Sequence, residues 1–194
     1  LWYNGCESES SYLCAGLMID IKKPEQKYNF LKSLGDGRYY DVEKIFENKK
    51  DKNIKYRIGV DSLNIKDKSI YIISLVGIYE GKQGAFVLYQ KQRHPKIINI
   101  QERLWKEVEI AIEASIYFRD VHELDIETIE FDLNIDSYYP SSKLYLSALN
   151  YAESNGFRGI AKPGLLAAIS ASDFVVHKGR FNKIRNTKYK RTTK

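Results

Sequence analysis

The fold of this chain is organised around the stretch Tyr56–Ser62, which reads YRIGVDS. The β-branched residues Ile58 and Val60 alternate with other side chains at the period of a β-strand. Alternation places Gly59 and Asp61 together on one face, and the glycine is expected to leave the space beside the acid uncrowded. Acids at strand ends are common in turns, so the importance of Asp61 depends on the other acids that the fold brings to it.

Three consecutive strands are predicted over residues 55–62, 69–79 and 85–90. Polar residues 64–68 separate the first two strands, and the sequence EGKQG at residues 80–84 separates the second from the third. Connections this short predict an antiparallel meander. A short helix is predicted before the meander, over residues 40–48, because its apolar residues recur at helical spacing.

The clearest helix is predicted over residues 100–118, where apolar side chains form one stripe. One carboxylate, Glu107, falls inside that stripe between Leu104 and Ala111. A carboxylate that faces a core is costly unless a cation or a hydrogen-bond donor meets it. Glu107 is therefore interpreted as a functional acid, with a salt bridge to a core-facing arginine as the alternative.

A fourth strand is predicted over residues 126–135, with alternating apolar side chains on one face. Its other face carries four side chains with oxygen atoms: Glu130, Asp132, Asn134 and Asp136. Such a row is either a set of metal ligands or an ordinary solvent-facing strand surface.

The chain continues with a helix over residues 139–155, a fifth strand over 157–161 and a last helix over 165–177. Pro140 suits the first turn of the former helix, and Gly156 suits the position just past its end. The last helix contains one acid, Asp173, one turn before His177. Asp173 is either a functional acid or the partner of that histidine or of a backbone group.

Charge divides the chain into a nearly neutral body and a basic tail. Residues 178–194 contain eight of the 31 Lys and Arg residues and none of the 25 acids. Tails of this kind contact phosphate backbones, with a solvated, disordered tail as the alternative. The residues predicted to contact nucleic acid are Lys183, Arg185, Lys188, Lys190 and Arg191.

A cytoplasmic protein without a membrane partner is expected. The longest apolar run, over residues 70–79, is too short to span a bilayer, and no secretory signal pattern begins the chain. The two cysteines, Cys6 and Cys14, lack the spacing of a zinc site. Reduced thiols are favoured, and a local disulfide stays open as the alternative.

The predicted order is three strands, a helix, a strand, a helix, a strand and a helix, with acids in the first strand, first long helix, fourth strand and last helix. In this order the chain resembles the ribonuclease H-like fold. Within it, the chain resembles the small YkuK-like family of predicted ribonuclease H-related proteins found in bacteria and archaea. The matching segments are IGVDS at 58–62, LWKEV at 104–108, DLNID at 132–136, SSKL at 141–144, KPG at 162–164 and SD at 172–173.

The resemblance implies an α/β fold with a mixed five-stranded sheet flanked by helices. Three antiparallel strands would be followed by two parallel additions. The ribonuclease H-like domain would cover residues 41–178, after an N-terminal extension over residues 1–40 and before the basic tail over residues 179–194.

The resemblance also implies metal-dependent hydrolysis of phosphodiester bonds in RNA or an RNA/DNA hybrid by a two-metal mechanism. Asp61, Glu107 and Asp173 would be catalytic. The ligands of two Mg²⁺ or Mn²⁺ ions would come from Asp61, Glu107, Asp132, Asn134, Asp136 and Asp173. The family pattern has an aspartate where this chain has Asn134, and an amide oxygen adds no charge, so the second ion would be weakly held.

Two alternatives to an active nuclease follow from this departure. The first is a ribonuclease H-like protein that binds nucleic acid with weakened or lost catalysis. The second is a protein-interaction domain with no nucleic-acid role, because fold alone does not determine function.

Overall fold

The computed structural model describes residues 28–47, 53–81, 84–164 and 166–177. In these ranges the strands are β1 Phe30–Ser33, β2 Tyr39–Asp41, β3 Ile54–Ile65, β4 Lys68–Tyr79, β5 Ala85–Pro95, β6 Ile126–Phe131 and β7 Gly159–Ala161. The helices are α1 Val42–Glu47, α2 Ile100–His122, α3 Ser142–Ser154 and α4, residues 167–177. Within the same ranges, none of the helices combines the length and the apolar composition that crossing a bilayer requires.

The predicted mixed α/β sheet is confirmed, but in the described residues it has seven strands rather than five. The strand order is β2-β1-β5-β4-β3-β6-β7. The meander β3-β4-β5 is antiparallel, and β6 and β7 are added in parallel beyond β3. The two additional strands, β1 and β2, extend the other edge beyond β5 in antiparallel pairing.

Helix α2 covers one face of the sheet and supplies much of the core. Asn99 caps its first turn, because the side chain accepts hydrogen bonds from the backbone N–H groups of Gln101 and Glu102. The helix continues past the predicted end at Phe118 to His122, where Glu123 adopts a left-handed conformation with φ 55°. The apolar stripe of α2 then packs on β3, β4 and β6 around fully buried residues such as Ile58 and Phe118.

Helix α4 covers the opposite face of β3 and approaches it very closely at Gly59. A Cβ atom built on Gly59 would lie 2.7 Å from the backbone N of Ile169 and 2.8 Å from the backbone C of Ala168. The buried Ser172 side chain also donates a hydrogen bond of 3.1 Å to the Gly59 carbonyl. The expectation of open space beside Asp61 was therefore wrong at this position, because the glycine makes room for a helix.

Glu130 of β6 holds the beginning of α4 against the sheet. Its side chain is fully buried, and Oε2 accepts hydrogen bonds from the backbone N–H groups of Ala168 at 2.6 Å and Ile169 at 3.1 Å. A carboxylate at a helix N-terminus satisfies backbone donors that have no partner within the helix. Glu130 therefore serves the packing of α4 and does not belong to an open row of ligands.

The fourth predicted strand is shorter than expected. Strand β6 ends at Phe131, whereas the prediction extended it to Ile135. Asn134 and Asp136 consequently lie on the loop between β6 and α3, not on a strand face. Alternation of apolar residues continued beyond the last paired residue, so the sequence pattern overestimated the strand.

Candidate functional site

Asp61 lies near the end of the central strand β3 and lines a pocket of about 280 Å³. The same pocket is lined by Arg103 of α2 and by Asp173 and His177 of α4. Helices from both faces of the sheet therefore contribute charged side chains to one end of β3.

Glu107 does not line this pocket, but it contacts Ser62, which does. Its side chain is buried, with 6% exposure, and Oε1 accepts a hydrogen bond of 2.5 Å from the Ser62 hydroxyl. Arg103 Nη1 donates to that same hydroxyl oxygen at 2.6 Å and lies 3.8 Å from Glu107 Oε1. The salt bridge to a core-facing arginine, the alternative interpretation of Glu107, is thus present.

Asp132 follows the last residue of β6 and is brought toward Asp61 by the strand register. Gly59 pairs with Glu130 in the parallel ladder between β3 and β6. Asp61 and Asp132 each lie two residues beyond this pair, so the same register brings them side by side at one end of the sheet. The side chain of Asp132 forms an ion pair with Lys162, which follows β7.

Burial and mutual repulsion raise the pKa values of the two innermost acids. The pKa of Asp61 rises to about 6, chiefly through burial and then through the charges of Asp173 and Asp132. Burial raises the pKa of Glu107 to about 8, and the charges of Asp61 and Asp132 act in the same direction. The Ser62 hydrogen bond and Arg103 oppose that rise. Asp61 therefore interacts electrostatically with Asp132, Asp173 and Glu107, and we call these four residues the four-acid cluster.

The raised pKa of Glu107 predicts a pH-dependent loss of stability. Between its unfolded value of 4.5 and about 8, the folded protein binds more protons than the unfolded chain. The free energy of unfolding therefore falls as pH rises through this window. Glu107→Gln removes the charge, so we expect the variant to exceed the wild type by roughly 1–3 kcal/mol at pH 8.5 and to gain little at pH 4.

Urea unfolding in EDTA at both pH values measures this difference, and Glu102→Gln on the exposed side of the same helix is the matched control. Equal stability of wild type and Glu107→Gln at pH 8.5 would show that the Glu107 carboxylate is not destabilised by its surroundings.

The other predicted residues are placed as follows. Asp173 Oδ1 lies 2.9 Å from His177 Nε2, as its alternative interpretation anticipated. The backbone N–H of Asn134 donates a hydrogen bond to the Ser141 hydroxyl at 3.2 Å. Exposed Asp136 accepts a hydrogen bond of 2.9 Å from the backbone N–H of Tyr138, which is the role of a turn residue. Five predicted nucleic-acid contacts lie outside the described residues: Lys183, Arg185, Lys188, Lys190 and Arg191.

Sequence reasoning missed the basic side chains that accompany the acids. Arg103 lies one helical turn before Glu107, and i,i+4 spacing on a helix is the signal that would have found it. The pairing of β6 with β7 brings Lys162 next to Asp132, and no local sequence pattern predicts this contact. In the described ranges, no three His, Cys, Asp or Glu side chains are grouped closely enough to hold a metal ion.

Comparison with known proteins gives one positive result. The family model described as Ribonuclease H-like matches residues 39–176, which is more than half of the chain. No curated protein matches, and no solved structure matches. The match does not distinguish the YkuK-like family, so that narrower resemblance stays a prediction. With its central β3, its parallel additions and its acids at one end of the sheet, the chain belongs to the Ribonuclease H-like family.

Proposed function

We propose that this protein is a divalent-metal-dependent nuclease that hydrolyses phosphodiester bonds at the four-acid cluster. The observation that carries the proposal is the meeting of acids from β3, α2, α4 and the end of β6 at one end of the sheet. Membership in the Ribonuclease H-like family supports a nuclease or a nucleic-acid-binding protein. The cluster favours the nuclease, because placing other carboxylates near the buried Glu107 and the half-buried Asp61 is costly without a function that uses them.

The donor chemistry of the cluster fits Mg²⁺ or Mn²⁺. Carboxylate oxygens are the ligands that these hard cations prefer. The pKa of Asp61 is raised by burial and by the charges of Asp173 and Asp132, and a divalent cation would relieve that repulsion. Asp61, Asp132, Glu107 and Asp173 are the residues that would hold the metal, and metal binding would require them to move closer together than they lie in the described structure. When bound, it would activate water as a nucleophile and stabilise the leaving oxygen.

The chain's own residues would prepare the site for a phosphate group. Arg103 and His177 line the pocket with Asp61, and both offer N–H donors to phosphate oxygens. Ser62 links Arg103 to Glu107 and so orients both side chains. The backbone N–H of Ser62 donates to Asp61 Oδ1 at 2.8 Å, which orients the central carboxylate.

Three contacts between acids and basic side chains favour the second candidate, a nucleic-acid-binding protein without catalysis. Arg103 lies near Glu107, Lys162 pairs with Asp132, and His177 pairs with Asp173. Basic side chains thus already accompany three of the four acids, and a metal ion would compete with them. A titration with Mn²⁺ separates the two candidates, since only the nuclease requires metal binding at the cluster.

The strand register leads us to expect that Asp132, rather than Asn134, supplies the fourth-strand ligand. Asp132→Asn should therefore lower cleavage by about 10- to 100-fold and weaken Mn²⁺ binding. Asn134→Asp should change both by less than about 3-fold. Cleavage assays on RNA, DNA and hybrid substrates, paired with calorimetric Mn²⁺ titration, compare the two variants.

A large gain in rate and metal affinity for Asn134→Asp would contradict the assignment to Asp132. It would instead support a ligand position at residue 134 that this chain fills with a neutral amide.

A further inference from the structure

A groove of about 670 Å³ runs across the sheet beside the four-acid cluster. Its floor is apolar and includes Ile70 and Ile72 of β4 with Val176 of α4. It shares Leu63 and Val176 with the pocket that contains Asp61. The groove and the acid pocket therefore adjoin each other on the face of the sheet that α4 partly covers.

The strand register shows how the groove leads to Asp61. Asp61 pairs with Ile72, and Ile72 pairs with Lys91, so these side chains form one row across β3, β4 and β5. Neighbouring strands are about 4.8 Å apart, which puts Lys91 roughly 10 Å from Asp61 along the row. The adjacent row joins Leu63 and Ile70 to Arg93. The exposed side chains of Lys91 and Arg93 thus lie about one to two nucleotide lengths from Asp61.

Aromatic side chains line the far side of the groove. Tyr89 of β5 faces Lys32 of β1, and Lys32 in turn faces Tyr39 of β2. Tyr39 is 71% exposed, Phe30 is 57% exposed, and the Lys32 ammonium lies 5.2 Å from the Tyr39 ring centroid. Large exposed rings beside cations on a sheet surface are the elements on which unpaired bases stack.

The charged side chains that line the groove indicate which kind of ligand it attracts. The lining includes Lys32, Lys91 and Arg93 and no acidic residue among the described side chains. A polyanion is therefore attracted, whereas the basic segment over residues 178–194 is repelled from the same surface. Stacking requires base faces that a duplex hides, so the combination fits a single strand better than a double helix.

We infer that this groove binds single-stranded nucleic acid and guides it into the four-acid cluster. The backbone would lie along Lys91 and Arg93, while bases would stack on Tyr39 and Phe30. The inference gives β1 and β2, which lie at the predicted boundary between the N-terminal extension and the ribonuclease H-like domain, a role in substrate binding. It deepens the proposed function by naming a substrate class, and the guiding step rests on that proposed function.

Binding without metal tests the groove separately from catalysis. Fluorescence anisotropy in EDTA would measure the affinity for labelled 12-nucleotide single strands of RNA and of DNA, and for the matching duplexes. The variants are Tyr39→Ala and the double variant Lys91→Ala/Arg93→Ala. The matched controls are Tyr151→Ala, on the α2 side of the sheet, and Arg158→Ala, exposed beside the opposite edge strand β7.

Tyr39→Ala should weaken single-strand binding by about 5- to 150-fold, the range for loss of one stacked base. The double variant should weaken binding and reduce the slope of log affinity against log salt by about 1.4, which is two phosphate contacts. Both controls should bind as the wild type does. Preference for RNA or for DNA identifies which single strand the groove takes.

Wild-type affinity in both groove variants, or tighter binding of duplex than of single strand, would overturn the inference while leaving the nuclease proposal standing. A second result would be a wild type that cleaves no substrate with Mn²⁺, together with groove variants that lose single-strand binding. That pair of results would support the groove and contradict the nuclease proposal. A wild type that binds no single strand at low salt overturns the inference whatever the cleavage result.

Discussion

Asp61→Asn is expected to lower Mg²⁺- or Mn²⁺-dependent cleavage by at least about 100-fold while leaving the fold intact. Asp61 lines the pocket together with Asp173 and interacts electrostatically with both Asp173 and Asp132. Asparagine has nearly the same shape and keeps an oxygen that accepts from the Ser62 N–H, but it removes the charge that attracts a cation. Single-turnover cleavage of RNA, DNA and hybrid substrates across a metal titration measures the effect.

The matched control for this substitution is Asp67→Asn in the exposed turn between β3 and β4. It makes the same change in net charge far from the cluster and should cleave at the wild-type rate. Equal cleavage by wild type and Asp61→Asn would place the activity elsewhere or in a contaminant. Thermal melting of the three proteins, expected to agree within a few degrees, separates loss of chemistry from loss of structure.

Gly59→Ala should reduce the free energy of unfolding by about 1–3 kcal/mol, the usual cost of overpacking a tight contact. The new methyl group would meet backbone atoms of Ile169 and Ala168, and backbone cannot move aside as a flexible side chain does. Helix α4 must shift to accept it, and Asp173 and His177 move with the helix. Chemical denaturation measures the stability, and a cleavage assay measures the accompanying change at the site.

Gly35→Ala provides the comparison for Gly59→Ala. A Cβ atom at Gly35 would lie 3.8 Å from the Ser33 hydroxyl, which is an ordinary van der Waals distance. We expect no loss of stability at this position. If Gly59→Ala is as stable as Gly35→Ala, then α4 does not pack on β3 as closely as the structure has it.

Local patterns predicted the centre of the fold well. Alternation and turn residues are properties of neighbouring positions, so they indicated the meander β3-β4-β5. Helical spacing likewise indicated α2 and singled out Glu107 as a buried acid. Its burial is confirmed, and its contact with Arg103 matches the alternative interpretation, a salt bridge to a core-facing arginine. Its catalytic role stays a prediction.

What the sequence could not predict depends on pairing between distant segments. Strands β1 and β2 have four and three residues, too few for a recognisable alternation, and β1 pairs with the edge strand β5 of the meander. Glu130 looked like a surface ligand, because nothing local reveals that the start of α4 packs against it. The position of Asp132 beside Asp61 follows from a parallel register that joins residues about seventy positions apart.

The most direct test of the proposed nuclease is a crystal structure of the wild-type protein grown with MnCl₂. We expect anomalous density for manganese within coordination distance of Asp61 and Asp132, with the Lys162 ammonium displaced from Asp132. Crystals that show no manganese at the four-acid cluster, with Lys162 still paired to Asp132, would contradict the nuclease proposal and favour a nucleic-acid-binding protein without catalysis.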